Sequence, residues 1–206
     1  MSEKINAYTS IADNQIAEFK DRGSRFIAYS YPFSELRLLK PILEQLKKEH
    51  FKAVHFCYAF RMGTNGLKYR ANDDGEPAGS AGKPILGQID SLELTDVLVV
   101  VVRYFGGTLL GVPGLINAYK TATRLVLQEN KLITIEITNT YQLEINYNYY
   151  NDALVVLKKN NCIITHQDLQ LFCIIEFKVA LAVEETVLKQ LHLMPLLQLH
   201  KISDRK

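Results

Sequence analysis

The feature that most constrains this chain is an unbroken apolar segment at residues 97–102, which four closely spaced glycines follow. The segment is too short for a useful helix and consists almost wholly of β-branched residues, so it is typical of a strand buried on both faces. The glycines are Gly106, Gly107, Gly111 and Gly114. Because an amphipathic pattern begins at Leu115, residues 96–119 predict a central strand, a glycine-rich loop and a helix.

The junction between this loop and the helix can serve as an anion site. The first turn of a helix presents unpaired backbone N–H groups and the positive end of the helix dipole, and glycines let an anion approach them closely. The same glycines can instead serve only to make a tight crossing from strand to helix. Spacing alone does not decide between these two interpretations.

The composition is that of a globular protein. A chain of 206 residues is long enough for one large domain or two small ones, and we favour two. The 48% of apolar and 22% of charged residues exclude a disordered chain and a membrane protein. No apolar run approaches the ~20 residues that span a bilayer, and the N-terminus lacks a signal-peptide pattern, so we expect a cytoplasmic protein without membrane contact.

The charge is nearly balanced in both halves of the chain. Residues 1–135 carry 17 Lys and Arg against 14 Asp and Glu, a net +3, and residues 136–206 carry 7 against 8, a net −1. Nucleic-acid binding would therefore need a local basic patch rather than the field of a whole domain.

The first half predicts short strands and two further helices. Strand-type residues occur at positions 8–11, 15–19, 25–31, 55–60 and 68–71, with the last two forming a hairpin. Apolar spacing predicts one helix capped by Ser34 and another over 81–94 that leads into the central strand. Because Pro41 lies inside the first helix, we expect either a kink or a helix that starts near Pro41.

The second half has a different periodicity. It predicts a strand at 140–147, a helix at 149–159, strands at 163–167 and 171–179, a helix at 183–193 and a strand at 196–200. This βαββαβ order is the plan of ferredoxin-like domains. We place a linker at residues 133–139, which gives domains 1–135 and 136–206, although these residues could also continue one strand.

A polar loop at residues 72–86 carries the strongest chemical candidates. Asp73, Asp74 and Glu76 place three carboxylates within four positions, which could ligate a hard cation or act as general acid and base. They could equally accept backbone N–H groups or pair with arginine. The other members of this constellation are His55, Arg61, Ser80, Lys83 and Arg103.

A catalytic thiol and a metal centre are both less favoured. His55 and Cys57 share a face of their predicted strand, but no third group orients them and their neighbours are apolar. The three cysteines, Cys57, Cys162 and Cys173, are widely spaced among apolar residues and predict reduced, buried thiols. The histidines lack metal-ligand spacing, so neither a metal site nor a cofactor is predicted.

Four segments together resemble the IMPACT-like family, also called the YigZ family. They are RGSRFIAYSYP at residues 22–32, HFCYAFR at 55–61, DDGEPAGSAGKPIL at 73–86 and VVVVRYFGGTLLGVPGLINAY at 99–119. The match covers most of the first ~130 residues, and so many unusual motifs in one order are hard to obtain by chance. The second half resembles the family's small bacterial C-terminal domain by length and element order.

The resemblance implies an α+β fold in two domains. The first would share the fold of domain IV of elongation factor G and of a small-subunit ribosomal protein, and the second would be ferredoxin-like. Eukaryotic relatives are translation regulators that bind the large ribosome-associated activator of the amino-acid-starvation kinase. For bacterial relatives no firm activity is established.

This chain also departs from the family pattern in the glycine-rich loop. The family commonly reads GGTKLGTGGL, whereas Leu109 stands here in place of the lysine and Val112-Pro113-Gly114 replaces the later glycines. Losing the lysine removes a charge suited to phosphate, and Pro113 removes a backbone donor. These changes weaken the anion hypothesis.

The leading functional hypothesis is a non-enzymatic translation-associated regulator that binds RNA, the ribosome or a ribosome-bound protein. The first alternative is a metal- or phosphate-dependent hydrolase that uses Asp73, Asp74 and Glu76, with His55 as a further catalytic candidate. The second is a protein-interaction module without nucleic-acid contact. The predicted binding residues are Arg61, Asp74, Glu76, Ser80, Lys83, Arg103, Tyr104, Gly106, Gly107, Gly111 and Asn117.

Overall fold

The structure is a computed structural model that describes residues 6–170 and 172–202. The chain is an α+β protein whose described residues divide into two compact units. The first unit spans Tyr8–Ile135, and the second comprises the described residues before and after it. Each unit has its own hydrophobic core.

The first unit consists of short strands with three helices between them. Its strands are β1 (Ala7–Ile11), β2 (Gln15–Asp21), β3 (Ser24–Pro32), β4 (His55–Met62), β5 (Lys68–Asn72), β6 (Val97–Tyr104) and β7 (Leu132–Glu136). Its helices are α1 (Leu39–Glu49), α2 (Gly82–Ser91) and α3 (Gly111–Gln128). The predicted succession of strand, glycine-rich loop and helix is confirmed.

The central position of β6 is also confirmed. Five strands form an antiparallel sheet in the order β2-β3-β6-β4-β5, so β6 is the middle strand. Val97, Val99 and Val101 pack with residues of α2 and α3, while the alternate side chains pack on the face that α1 covers. Both faces of β6 are therefore buried, as its unbroken apolar sequence requires.

The predicted cap of the first helix is wrong. A 3-10 turn at Leu36–Leu38 separates Ser34 from α1, whose N-cap is Leu38 without a side-chain hydrogen bond. Because α1 begins at Leu39, Pro41 lies in its first turn, where a missing N–H breaks no helical hydrogen bond. The alternative that the helix starts near Pro41 is the correct one.

The second unit has the predicted βαββαβ order. Its elements are β8 (Thr138–Asn146), α4 (Tyr150–Lys159), β9 (Ile163–Leu169), β10 (Phe172–Ala180), α5 (Glu184–His192) and β11 (Gln198–Ile202). The sheet order is β11-β8-β10-β9, and all neighbouring pairs are antiparallel. Alternate residues of β8 and β10 are buried against α4 and α5. Leu171, predicted as the first residue of a strand, lies outside the described residues.

Residues 133–139 do not form an irregular linker. Strands β7 and β8 occupy this stretch and are interrupted only at Ile137, while β7 pairs with β1. The low content of Gly and Pro in this stretch fits the alternative that these residues continue in strand conformation.

Two of the three cysteines are buried, as the sequence predicted for all of them. Cys57, Cys162 and Cys173 are free; the first and third are buried and Cys162 is half-buried. Within the described ranges, no helix is both long and apolar enough to cross a membrane.

Candidate functional site

The site begins with the antiparallel pairing of β4 and β6, which sets His55 directly opposite Arg103. Residues opposite each other in such a pair share one face of the sheet. Here it is the face that packs against α2 and α3, because Cys57 and Val101 of the same two strands lie in that core. The register thus brings together two polar side chains that are 48 positions apart in the sequence.

Glu76 joins Arg103 in a buried ion pair. Its Oε1 accepts a hydrogen bond from Nη1 of Arg103 at 2.6 Å and another from Oη of Tyr119 at 2.7 Å. The side chains of Glu76 and Arg103 are only 3% and 7% exposed. The carboxylate therefore links the acidic loop, β6 and α3, and breaking the pair would leave an uncompensated charge in the interior.

The hydroxyl and thiol beside this pair are held in their protonated forms. Burial, followed by the neighbouring Cys57 and Glu76, raises the pKa of Tyr119, so its hydroxyl stays a hydrogen-bond donor. Burial also raises the pKa of the Cys57 thiol. Its Sγ lies 3.0 Å from the carbonyl oxygen of Asp73 and 3.3 Å from Oη of Tyr119. A thiol in this state is a weak nucleophile, which favours a structural role.

Asp73 organises the acidic loop from within. Its Oδ1 accepts N–H groups from Ala81 and Gly82, and its Oδ2 accepts the N–H of Gly79. Burial would raise the pKa of this carboxyl, but the three backbone bonds, with a smaller contribution from Lys83, outweigh it and lower the pKa. Both oxygens are used by the loop and by the start of α2, which favours the structural interpretation of Asp73.

Asp74 fixes the orientation of His55. The Oδ2 atom of Asp74 accepts the N–H of Phe56 at 2.7 Å, and its carbonyl oxygen lies 2.8 Å from Nδ1 of His55. Because a carbonyl only accepts, Nδ1 carries the proton, and Nε2 of a neutral His55 has a free lone pair. That nitrogen lies 3.9 Å from Oε1 of Glu76. His55 therefore lies beside the Glu76–Arg103 pair, but beyond hydrogen-bond distance of the carboxylate.

The glycine-rich loop passes very close to the turn between β2 and β3. A Cβ atom on Gly106 would lie 1.9 Å from the carbonyl carbon of Gly23, while the N–H of Gly106 donates to Oγ of Ser24. Gly107 and Gly111 have φ angles of +84° and +69°, which favour glycine. Gly106 is therefore required by the close approach of this loop to the β2–β3 turn.

A cavity of about 440 Å³ lies between the acidic loop and the glycine-rich loop. Its lining residues are Val54, His55, Glu76, Pro77, Arg103, Phe105, Leu109, Leu110, Gly111, Val112 and Leu115. The walls are largely apolar, and His55, Glu76 and Arg103 form the polar part. The two loops that the sequence singled out thus line a single cavity.

Two predicted binding residues lie away from this cavity. Arg61 stands at the other end of β4, where its Nη2 pairs with Asp90 at 2.7 Å. Tyr104 follows Arg103 on β6 and therefore points to the opposite face, where its hydroxyl contacts His50 at 2.9 Å. The sequence placed both residues beside the motifs, but strand length and strand alternation separate them from the cavity.

The remaining predicted residues also lie outside the cavity lining. Ser80 is buried and donates its hydroxyl proton to the carbonyl oxygen of Pro77 at 2.6 Å. Lys83 is an exposed residue in the first turn of α2, and Asn117 is exposed on α3. Asp74, Gly106 and Gly107 shape the two loops without lining the cavity.

Sequence reasoning missed the side chains that close the site. The predicted site residues did not include Tyr119, Leu110 or Val54, and Val112 was noted only as part of the segment that replaces the family's later glycines. A tyrosine in the middle of an apolar helix face is itself a signal, because a buried hydroxyl needs a hydrogen-bond partner.

The carboxylates of the acidic loop are not arranged as metal ligands. Across residues 6–170 and 172–202, no group of three or more His, Cys, Asp or Glu side chains is placed to hold a metal ion.

Comparison with known proteins identifies similarity over the first unit. Residues 22–127 match the family model described as the Impact N-terminal domain. This range contains the acidic loop, the glycine-rich loop and every residue that lines the cavity.

Curated relatives include bacterial and vertebrate proteins. The chain is 38% identical over 115 residues to IMPACT family member YvyE of Bacillus subtilis and 32% identical over 156 residues to IMPACT family member YigZ of Escherichia coli. These matches cover 56% and 75% of this chain, and 53% and 76% of the relatives. Protein IMPACT of Xenopus laevis is 35% identical over 121 residues, which are 56% of this chain and 38% of that protein. The match to YvyE covers 53% of that protein, and the match to an IMPACT family member of Haemophilus influenzae covers 59% of that one. The chain thus spans a little over half the length of these bacterial relatives.

One solved structure is similar over nearly the whole length. The crystal structure of a hypothetical protein superimposes with a TM-score of 0.73 at 27% identity, covering 97% of this chain and 99% of the other.

Proposed function

Because the chain belongs to the Impact N-terminal domain family, we propose that it is a non-enzymatic, translation-associated regulator that acts by binding a protein of the translation machinery. The expected partner is a ribosomal protein or a ribosome-bound protein. The regulatory role is the one implied by the family resemblance, which extends to the vertebrate relatives named Protein IMPACT.

The observation that carries this proposal is the convergence of the acidic and glycine-rich loops on one cavity with an exposed apolar rim. Leu109 is 82% exposed, and Phe105, Val112 and Val54 are each about half exposed. A cluster of exposed apolar side chains beside a cavity is typical of a protein-binding surface. We assign the contact surface to this rim.

The local charges favour a protein over RNA as the partner. Arg103 is paired with Glu76, and Leu109 stands where a lysine would offer a charge to phosphate. RNA affinity depends on several such phosphate contacts. The rim offers apolar area instead.

The hydrolase alternative has less geometric support. It requires the oxygens of Asp73, Asp74 and Glu76 to face a metal or a substrate, yet Asp73 binds three backbone N–H groups and Glu76 binds Arg103 and Tyr119. Carboxylates held in this way stabilise the loops rather than serving as metal ligands.

We further propose that the two units are domains with the folds implied by the family resemblance. Residues 1–135 would share the fold of domain IV of elongation factor G, and residues 136–206 would form a ferredoxin-like domain. The βαββαβ order and the sheet order β11-β8-β10-β9 support the second assignment. Both assignments fit a protein that works in the cytoplasm beside the ribosome.

A pull-down with the full chain tests the proposed function. We expect ribosomal or ribosome-associated proteins to be recovered, and to stay bound after nuclease treatment and in high salt, because apolar contacts are not screened as phosphate contacts are. Leu109→Glu should lose them, while Leu67→Glu, at another exposed apolar position, should not. Complete release by nuclease, or no such protein even in low salt, would overturn the proposal.

A further inference from the structure

An exposed row of side chains on α3 starts at the mouth of the cavity. Val112 lines the cavity, and Ile116 lies four positions later on the same side of the helix. Both side chains are apolar, and they are 47% and 38% exposed. The apolar rim therefore continues along α3 beyond the cavity.

The same row becomes basic toward the end of the helix. Lys120 and Arg124 continue the spacing of four positions, which turns by only about 40° per step around the helix axis, and both are exposed. We call Val112, Ile116, Lys120 and Arg124 the outer face of α3. This face is apolar at one end and positively charged at the other.

The positive charge of the outer face is not neutralised within the fold. The helix, Gly111–Gln128, contains no Asp or Glu. Neither Lys120 nor Arg124 forms an ion pair with any residue that the structure describes. The outer face is thus complementary to a partner that carries negative charge.

The opposite side of α3 is already occupied. It packs on α2 and on strands β2, β3 and β6, and its buried residues include Leu115, Tyr119 and Ala122. The outer face is therefore the side of this helix that a partner can reach.

The cavity at the start of the outer face has room for one large apolar side chain. Its volume is about 440 Å³ and its accessible surface is almost wholly apolar, so it favours an aromatic or aliphatic group over a charged one. Side chains that fill such pockets supply much of the binding energy of protein interfaces. One anchoring side chain here places the rest of a bound segment along α3.

A helix fits this surface better than an extended segment does. Side chains spaced by four positions on α3 form a ridge that packs into the grooves of a second helix. An extended segment would leave its backbone N–H and C=O groups unpaired, because a helix offers no strand edge. The outer face from Val112 to Arg124 is about 18 Å long, the length of about twelve residues of helix.

We propose that the outer face of α3 and the adjoining cavity bind an acidic amphipathic helix of a partner protein. One large apolar side chain of that helix fills the cavity, and further apolar side chains pack on Val112 and Ile116. Its Asp or Glu side chains lie opposite Lys120 and Arg124. The inference rests on the function proposed above, because it specifies the segment through which a protein of the translation machinery binds.

Selection of peptides against the full chain tests this inference. The probe is a phage library that displays random peptides about 16 residues long, since a helix of that length covers the outer face. We expect the selected peptides to combine aromatic residues or Leu at helical spacing with an excess of Asp and Glu. Selected peptides without that acidic excess, or no selected peptide at all, would overturn the proposal.

Charge reversal on the outer face locates the binding site. Lys120→Glu combined with Arg124→Glu should weaken binding of the selected peptides at least about tenfold, because attraction is replaced by repulsion. Lys158→Glu combined with Lys159→Glu, at two exposed positions of α4, is the matched control and should leave binding unchanged. Since all four positions are exposed, folding should be retained, which the melting temperature checks. Equal affinities for the two doubly substituted proteins would overturn the assignment to α3.

Ile116→Glu separates a partner helix from a second copy of this chain. It should weaken binding of the selected peptides and leave the molecular mass of the chain in solution unchanged. Dimers of the unaltered chain that Ile116→Glu dissociates would assign the outer face to self-association and overturn the proposal.

The outcomes also distinguish this inference from the proposed function. Recovery of ribosome-associated proteins that does not change with Lys120→Glu and Arg124→Glu would support the proposed function and overturn the acidic helix. Acidic peptides bound at the outer face, with no ribosome-associated protein recovered from cells, would support the acidic helix and overturn the proposed function.

Discussion

Glu76 holds three elements together through one oxygen atom. Oε1 accepts hydrogen bonds from Arg103 of β6 and from Tyr119 of α3, while Glu76 itself belongs to the acidic loop. The sequence allowed an arginine such as Arg103 to pair with the acidic-loop carboxylates, but it did not choose among the arginines. It did not indicate Tyr119, whose apolar ring fits the helix pattern and whose hydroxyl role depends on the tertiary contact.

Removing the hydroxyl of Tyr119 should weaken the first unit without unfolding it. Tyr119→Phe keeps the ring in the core but deprives Glu76 of one donor, and Arg103 still pairs with the carboxylate. We expect a loss of about 1–2 kcal/mol in the free energy of unfolding, measured by chemical denaturation. Tyr69→Phe, on an exposed ring, is the control and should change stability very little. An unchanged denaturation midpoint for Tyr119→Phe would contradict this role of the hydroxyl.

The carboxylate of Asp73 should make the stability of the first unit depend on pH in the acid range. Its pKa is lowered in the folded protein from the usual 3.8. Its contribution is therefore fully present above the usual value and is lost as the pH falls through the folded-state value. Asp73→Asn, which cannot accept all three backbone N–H groups, should cost about 1–3 kcal/mol at neutral pH.

The same substitution should cost less only below the usual pKa of 3.8. Denaturation curves should show the same stability difference between the Asp73→Asn protein and the unaltered protein at about pH 7 and pH 5, and a smaller difference at about pH 3. A difference that stays constant from neutral to acid pH would show that the charge of Asp73 is not what holds the loop.

Among the helices and strands, the sequence pattern predicted an element well where burial of its side chains determines its conformation. The central strand β6 was predictable because an apolar β-branched run of six residues suits a strand buried on both faces. The start of α1 was less predictable. Ser34 has the right chemistry for a cap, but the helix start depends on a 3-10 turn that no residue pattern marked. The pairing of β7 with β1 joins residues over 120 positions apart and left no local signal.

Two glycine substitutions should have opposite effects, although both replace glycine by alanine. Gly106→Ala would place Cβ 1.9 Å from the backbone of Gly23, so the glycine-rich loop must move. We expect a loss of about 3 kcal/mol or more, above typical single substitutions. Gly87→Ala meets nothing within 4 Å on α2 and should stabilise by about 0.5–1 kcal/mol.

Thermal unfolding of the two alanine variants provides the comparison. The melting temperature should fall for Gly106→Ala and rise for Gly87→Ala. A Gly106→Ala protein as stable as the unaltered chain would show that this crossing of the loop over the β2–β3 turn is not tight in solution.

For the whole molecule, the motifs were predictable but their assembly into a site was not. The sequence indicated the acidic loop and the glycine-rich loop, and both line the cavity. Which side chains meet there depends on the β4–β6 register, which sets His55 opposite Arg103, and on strand alternation, which directs Tyr104 away. The apolar rim includes Leu109 and Val112. In the sequence these residues were noted only because they lie where the family has a lysine and glycines, which weakened the hypothesis of an anion site. In the structure they supply the exposed apolar surface.

Site-specific photocrosslinking in cells tests most directly whether this rim contacts a protein of the translation machinery. The photoreactive residue p-benzoylphenylalanine would replace Leu109 in one version of the full chain and Leu67 in another, since both side chains are largely exposed. We expect the probe at position 109 to crosslink to a ribosomal or ribosome-associated protein, and the probe at position 67 not to do so. No such product from position 109, or the same products from both positions, would contradict it.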